Sequence, residues 1–214
     1  MMVNTEWGAF DNAREILPRT PFDNRVDRES INPHFQAYEK FISGMYLGEI
    51  TRNVLLALVD AAPKPILFGG KATERLNRHY GLDTEMLSLV ESAWTTTTTG
   101  ADGKEDKNDA APSLRDFSKP LEEERIAPAT LQRLNKVREI IREYLGYAPG
   151  EVSLRDAALV QWAGALVVRR AARLSACGIA TVAKQMGYVA GFVTHAQAAA
   201  AVGGKPFSIG VDGR

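Results

Sequence analysis

The chain has 214 residues, 45% of them hydrophobic and 24% charged, with Lys plus Arg equal to Asp plus Glu at 26 each. A formal charge of zero gives no electrostatic footing for nucleic acid or an anionic membrane surface, and there is no run of about eighteen apolar residues to span a bilayer. The length supplies a real core for one large domain or two small ones, and the lone cysteine, Cys177, excludes an internal disulfide framework and fits a reducing compartment.

Met1 to Phe10 reads as a short strand running into a turn, with Glu6 where the strand gives way to Trp7 and Gly8. A carboxylate at a strand end can accept hydrogen bonds from a ligand hydroxyl, although a solvated Glu beside a turn is the plainer reading. No basic n-region opens the chain, so no signal peptide is expected and the expected location is cytoplasmic. Asp11-Asn12, Pro18, Pro21 and Asp23-Asn24 mark a loop. After Pro33 one long helix is expected to about Asp60, because Tyr38, Phe41, Ile42, Met45, Ile50, Val54 and Leu58 recur at helical steps. Gln36 and Glu39 share one face of it. Gly44 and Gly48 interrupt it at about 1 kcal/mol each relative to Ala. Either a neighbouring backbone packs closely there or a ligand approaches, packing being the commoner cause.

Pro63 and Pro65 end that helix, and Ile66-Leu67-Phe68 before Gly69-Gly70 reads as a short buried segment. Helices are expected from about Lys71 to Arg78 and from Asp83 or Thr84 to about Trp94. The polar stretch 95–112, opening with a Thr run, cannot bury a core and is expected to be a disordered insertion within one domain, a linker between two domains being the weaker reading. Leu131, Leu134, Val137, Ile141 and Tyr144 form an amphipathic helix with Thr130 near its start and Gly146 past its end. Ser153 and Asp156 make a loose capping box for a helix that is apolar around most of its girth from Ala157 to about Met186, expected to be packed on several sides, with Cys177 a buried structural thiol. The tail 192–214 is atypical: an Ala run, Gly203-Gly204, then Phe207 to Gly213 as a strand entering a tight turn.

Spacing alone makes Glu6, Gln36 and Glu39 two carboxylate acceptors and one amide that both donates and accepts, a set suited to an uncharged polyhydroxylated ligand such as a sugar. The stretches carrying them are distinctive. Asn4-Thr5-Glu6-Trp7-Gly8-Ala9-Phe10, Leu17-Pro18-Arg19-Thr20 and Gln36-Ala37-Tyr38-Glu39-Lys40-Phe41-Ile42-Ser43-Gly44-Met45-Tyr46-Leu47-Gly48-Glu49 closely resemble the eukaryotic hexokinases and glucokinases, the fungal ones most. The resemblance continues through Gly81-Leu82-Asp83-Thr84 and Arg169 to Ala180 and covers roughly three quarters of the chain.

The resemblance implies an α/β, actin-like ATPase (ribonuclease-H-like) fold, here a partial large lobe of mostly helical content. It implies a glycolytic enzyme that phosphorylates the 6-hydroxyl of glucose or another hexose with ATP and Mg2+. Glu6 and Glu39 match the family's sugar-binding glutamates and Gln36 a sugar-contacting glutamine. Gly44 and Met45 fall where the family approaches ATP, and 78–82 near the adenine side. Asp212-Gly213 resembles a turn on ATP phosphate, although Arg214 stands where the family has Ser or Thr. No Asn-Asp-Thr motif occurs, so none of these residues matches the general base, no catalytic residue or metal ligand is assigned, and sugar affinity and turnover are expected to be severely reduced. The expectation is the large-lobe portion of a sugar kinase, as a truncated product or an incomplete gene model; a non-catalytic sugar-binding or regulatory relative is the alternative, and a helical interaction module the third. Hexose preference and oligomeric state stay open.

Overall fold

A computed structural model describes residues 6–95 and 126–185, and every regular element among them is helical. Most of the strand read at the N-terminus, the insertion 95–112 beyond Thr95, and the whole tail 192–214 with Asp212 and Gly213 lie outside the described residues. Glu6 and Trp7 have no regular structure, and Gly8 to Ala13 is turn.

The stretch read as a loop contains a helix, α1 (Pro21–Glu29). Pro21 misleads as loop punctuation: it sits at the first helical position, where its missing N–H has no intrahelical partner to lose. Thr20 and Asp23 close a capping box, with Asp23 Oδ2 accepting from Thr20 N at 2.8 Å. Asp23 also accepts a two-pronged pair from Arg170 at 2.6 and 2.8 Å, joining the start of the chain to its last described helix.

The expected long helix is two helices, α2 (Ala37–Ile42) and α3 (Gly44–Val59). The break is Ser43, extended at φ −75°, ψ 137°, whose hydroxyl accepts from Met45 N at 3.4 Å and caps α3. Periodicity carries through the break because both helices turn apolar residues to the same side. Phe68–Gly70 forms a single 3-10 turn and only Glu74–Asn77 (α4) of the expected 71–78 helix is helical, ahead of α5 (Thr84–Thr95). Leu67 and Phe68 are buried as expected, while Ile66 is exposed. α6 (Pro128–Leu145) ends at Gly146, whose left-handed φ of 78° is readily adopted only without a Cβ.

α7 (Leu154–Gln185) starts at the predicted box: Ser153 Oγ donates to Asp156 Oδ2 at 2.6 Å, and Asp156 N donates to Ser153 Oγ at 3.1 Å. Only its first half is packed on several sides. From Ala172 onward Ala183 alone is buried, and Cys177 is exposed rather than buried. The first half needs its all-round apolarity because α3, α5 and α6 pack on it; the second half carries alanines, whose small side chains mimic a core composition without one. The main core gathers Leu55, Leu76, Met86, Val137, Ile141, Leu145, Ala157 and Val160, all without solvent exposure. A second, small cluster joins Leu17, Tyr38 and Phe41 with Trp7, Ile42 and Leu174. No helix among the described residues is long and apolar enough to cross a membrane.

Asp11 organises the loop between the first turn and α1. Its carboxylate accepts from the N–H groups of Glu15, Ile16 and Leu17 at 2.7 to 3.0 Å and from Arg19 at 3.0 Å. Burial pushes this carboxyl up, but those N–H groups and the Arg19 guanidinium outweigh it and hold it below its ordinary range. A depressed folded-state pKa means the unfolded chain binds more protons in the window beneath about pH 4, the ordinary Asp value, so Asp11 stabilises above it and the contribution is lost as pH falls. Asp11→Asn is therefore expected to lower stability at pH 7 and to narrow its gap from the parent chain towards pH 2, measured by urea unfolding across that range. A gap that stays constant with pH would remove this role.

Candidate functional site

The start of α2 is finished by the loop before it. Gly8 O accepts from Tyr38 N at 3.1 Å and Glu39 N at 3.2 Å, and Asn12 Oδ1 accepts from Ala37 N at 3.0 Å. These three N–H groups are helix-terminal donors with no intrahelical partner. Gln36, just ahead of them, is left-handed at φ 51°, ψ 47° and makes no side-chain cap. Its side chain lies instead on Gly8, where a Cβ would stand 3.0 Å from Gln36 Oε1. That amide oxygen is buried and has no hydrogen-bond partner among the described residues. A buried acceptor left unpaired costs on the order of 1–3 kcal/mol, so it is a position where a ligand O–H is rewarded.

The residues that carry the predicted carboxylates flank this seam along the chain. Glu39 is half-buried in the first turn of α2, Glu6 is exposed two residues before Gly8, and among the described residues neither carboxylate has a hydrogen bond or ion pair. Their neighbours are fully engaged. Asp27 holds Lys40 Nζ at 2.8 Å and pairs with Arg14, and Lys40 Nζ also donates to Asn32 O at 2.7 Å. Behind the seam, Tyr38 donates its hydroxyl to Leu174 O and takes Trp7 and Phe10 edge-on at 6.4 and 5.9 Å. Gly8 and Asn12, which build the seam, were legible in the sequence only as turn residues.

Gly44 and Met45 stand across the Ser43 break, at the first turn of α3. A Cβ at Gly44 would meet nothing within 4 Å, and Met45 is 60% exposed, so this helix end is open to a bulky ligand. Gly48 is the opposite case: its Cβ would lie 2.2 Å from Leu82 O. Close packing explains Gly48 and does not explain Gly44. Thr84 links the two, donating its hydroxyl to Gly44 O and accepting from Gly48 N at 3.0 Å. The sequence marked Thr84 as a helix start, but its hold on the first turn of α3 needed the tertiary fold to be seen. The segment 78–82 lies beside this turn through Leu82.

One acidic group elsewhere has metal-like proximity. Glu29, Glu49 and His79 bring ligand atoms within 4.8 Å of one another, but Glu49 already holds Arg52 through both its oxygens and Glu29 Oε1 accepts from Arg25 at 3.0 Å.

A family model described as Hexokinase matches residues 1–214. The chain belongs to the hexokinase family. A hexokinase of Schwanniomyces occidentalis is 34% identical over 188 residues, covering 88% of this chain and 30% of that protein. Human hexokinase-2 is 50% identical over a shorter stretch of 93 residues, 43% of this chain and 10% of that one. Among solved structures, hexokinase from Schistosoma mansoni complexed with glucose superposes with a TM-score of 0.61 at 31% identity, over 86% of this chain and 32% of that one. This hexokinase-family chain thus spans about 30% of the length of the curated relatives it matches. Its fold is the actin-like ATPase fold of the hexokinases, and the described residues are a helical part of it.

Proposed function

We propose that this hexokinase-family chain is the large-lobe portion of an ATP-dependent hexose 6-phosphotransferase, with Glu6, Gln36 and Glu39 as its sugar-facing wall. The observation that carries the reading is Gln36 Oε1, buried against Gly8 and without a hydrogen-bond partner among the described residues. Two carboxylates accept from sugar hydroxyls and the amide oxygen takes a third, while the amide N–H group is free to donate. Sites built from such acceptors reject analogues lacking the matching hydroxyl by large factors. The S. mansoni relative is complexed with glucose, and glucose is the hexose we assign.

ATP approaches at Gly44 and Met45, where the start of α3 is unobstructed over Gly44 and turns the positive end of the helix dipole towards phosphate. Bound Mg2+ supplies charge neutralisation on the phosphates. Asp212 and Gly213 form a further phosphate contact in this reading. None of the 214 residues carries the Asn-Asp-Thr base motif, so the chain by itself binds hexose only weakly, with part of the sugar site missing, and transfers phosphoryl below detection.

Glucose titration followed by tryptophan fluorescence tests the wall. Glu39→Ala is expected to raise the glucose Kd about 10- to 100-fold, the range of hydrogen bonds to a charged group. Its unfolding midpoint should stay near the parent's because the Glu39 carboxylate has no hydrogen bond or ion pair to lose among the described residues. An unchanged Kd sinks the assignment, and phosphorylated sugar in a coupled assay of the isolated chain refutes the absence of a base.

A further inference from the structure

The sugar wall leans on α7, through residues to which the reading of Glu6, Gln36 and Glu39 gives no task. The indole of Trp7, next to Glu6, lies against Gly178: a Cβ there would stand 3.0 Å from Cη2 and Cζ3 of the ring and 3.2 Å from Cε3. Real Cβ atoms seldom come this close, so a methyl at Gly178 forces the ring to give way. One turn earlier on α7, Leu174 O accepts the hydroxyl of Tyr38, which is next to Glu39. Trp7 and Tyr38 meet edge-on at 6.4 Å, and Leu174 packs into the cluster around Tyr38. Both arms of the wall, the loop carrying Glu6 and the helix carrying Glu39, are therefore registered against one short stretch of α7.

That stretch has little other work. It lies in the half of α7 that the main core does not bury, with Cys177 exposed beside Gly178. Glycine is disfavoured in a helix interior relative to alanine. Gly178 sits in the body of α7 without a left-handed φ, so the missing Cβ, not backbone freedom, is what the position uses.

We propose that Gly178 and Trp7 are positioning residues for the hexose. Gly178 leaves the space in which the Trp7 indole rests on α7, and the indole fixes where the adjacent Glu6 carboxylate stands relative to Gln36 and Glu39. The proposal rests on the assignment of those three residues as the sugar wall. Small displacements of binding groups have large effects on recognition and reaction, so a shift of a few tenths of an ångström at Trp7 is felt at Glu6.

The test is calorimetric glucose binding to the 214-residue chain, with thermal midpoints recorded alongside. Gly178→Ala is expected to raise the glucose Kd about tenfold with the midpoint near the parent's. A phenyl ring in place of the indole lacks the distal ring atoms that meet the new methyl, so the double variant Gly178→Ala, Trp7→Phe is expected to regain most of that affinity. A purely structural clash would instead lower the midpoint and leave the Kd alone, and that result overturns the proposal. So does a parental Kd for Gly178→Ala when Glu39→Ala is weakened; the wall assignment then survives. If Glu39→Ala also binds as the parent does, or the parent takes up no glucose, the assignment fails and the proposal with it. Should Gly178→Ala not fold, Trp7→Phe alone decides: a Kd raised about threefold supports positioning and an unchanged one overturns it.

Discussion

Glu49→Ala is expected to destabilise the chain by about 3–5 kcal/mol, the cost of stranding the partner of a buried charge. Glu49 is fully buried on α3. Its Oε1 accepts from Arg52 Nη2 at 2.5 Å and Asn53 Nδ2 at 3.3 Å, and its Oε2 accepts from Arg52 Nε at 2.7 Å and Tyr80 N at 2.8 Å. Removing the carboxylate leaves a guanidinium that is 3% exposed with only the carbonyls of Leu76 and Asn77 to hold it, at 3.0 and 3.4 Å, and orphans the Tyr80 N–H. Glu49→Gln keeps the shape and one acceptor, so its loss should be intermediate. The double variant Glu49→Leu, Arg52→Met removes both charges and is expected to recover much of the deficit, since an apolar pair of similar volume is often as stable as a buried ion pair. Urea midpoints of the three variants settle the matter. A Glu49→Ala chain within about 1 kcal/mol of the parent would mean that water reaches Arg52 after the truncation.

Gly48→Ala should produce the second large loss, about 3 kcal/mol, at the upper end of what overpacking does. The added methyl would meet Leu82 O at 2.2 Å and the backbone of Asp83 and Thr84 at 3.0 Å, and no rotamer change relieves a collision with main chain. The 82–84 segment must back away, and Thr84 would then lose its grip on Gly44 O and Gly48 N. If phosphate approaches Gly44 as proposed, weaker ATP binding should accompany the loss of stability. Gly44→Ala, four residues earlier, is the contrast. Its methyl meets nothing, so stability should hold or rise by a few tenths of a kcal/mol from helix propensity. Nucleotide affinity should still fall if phosphate approaches that backbone. Equal stability losses at the two glycines would contradict the distinction drawn between them.

The sequence resolved those elements whose signals are local. The Ser153–Asp156 box, the αL stop at Gly146 and the amphipathic stripe of α6 each depend on residues within a turn or two of one another, and each is found where it was read. α1 was lost because Pro21 and Asp23-Asn24 look like turn residues until Thr20 is recognised as a cap. The Ser43 break was lost because hydrophobic periodicity records only which side faces inward, not whether the axis is continuous. Cys177 was misplaced since a run of Ala and Val carries the same pattern whether or not a neighbour covers it. For the site, residue types suggested acceptors at Glu6, Gln36 and Glu39, yet the seam on which Gln36 and Glu39 are set depends on a backbone carbonyl, Gly8 O. A carbonyl belongs to every residue and leaves no mark in a sequence. Thr84 was hidden for a related reason, its two partners being backbone atoms of a helix some forty residues away.

The break at Ser43 also sets how tolerant this region is to changes of length. One extended residue separates α2 from α3, with Glu39 four residues before it and Gly44 directly after. An insertion or deletion of one residue within α2 would swing everything downstream by about 100° around the helix axis. Either Glu39 would leave the Gly8 seam or Gly44 would leave Thr84, because a single residue has too little slack to absorb the turn. The span from Gln36 to Gly48 therefore behaves as a fixed-length ruler: a substitution such as Gly44→Ala keeps its register, and a change in residue count does not.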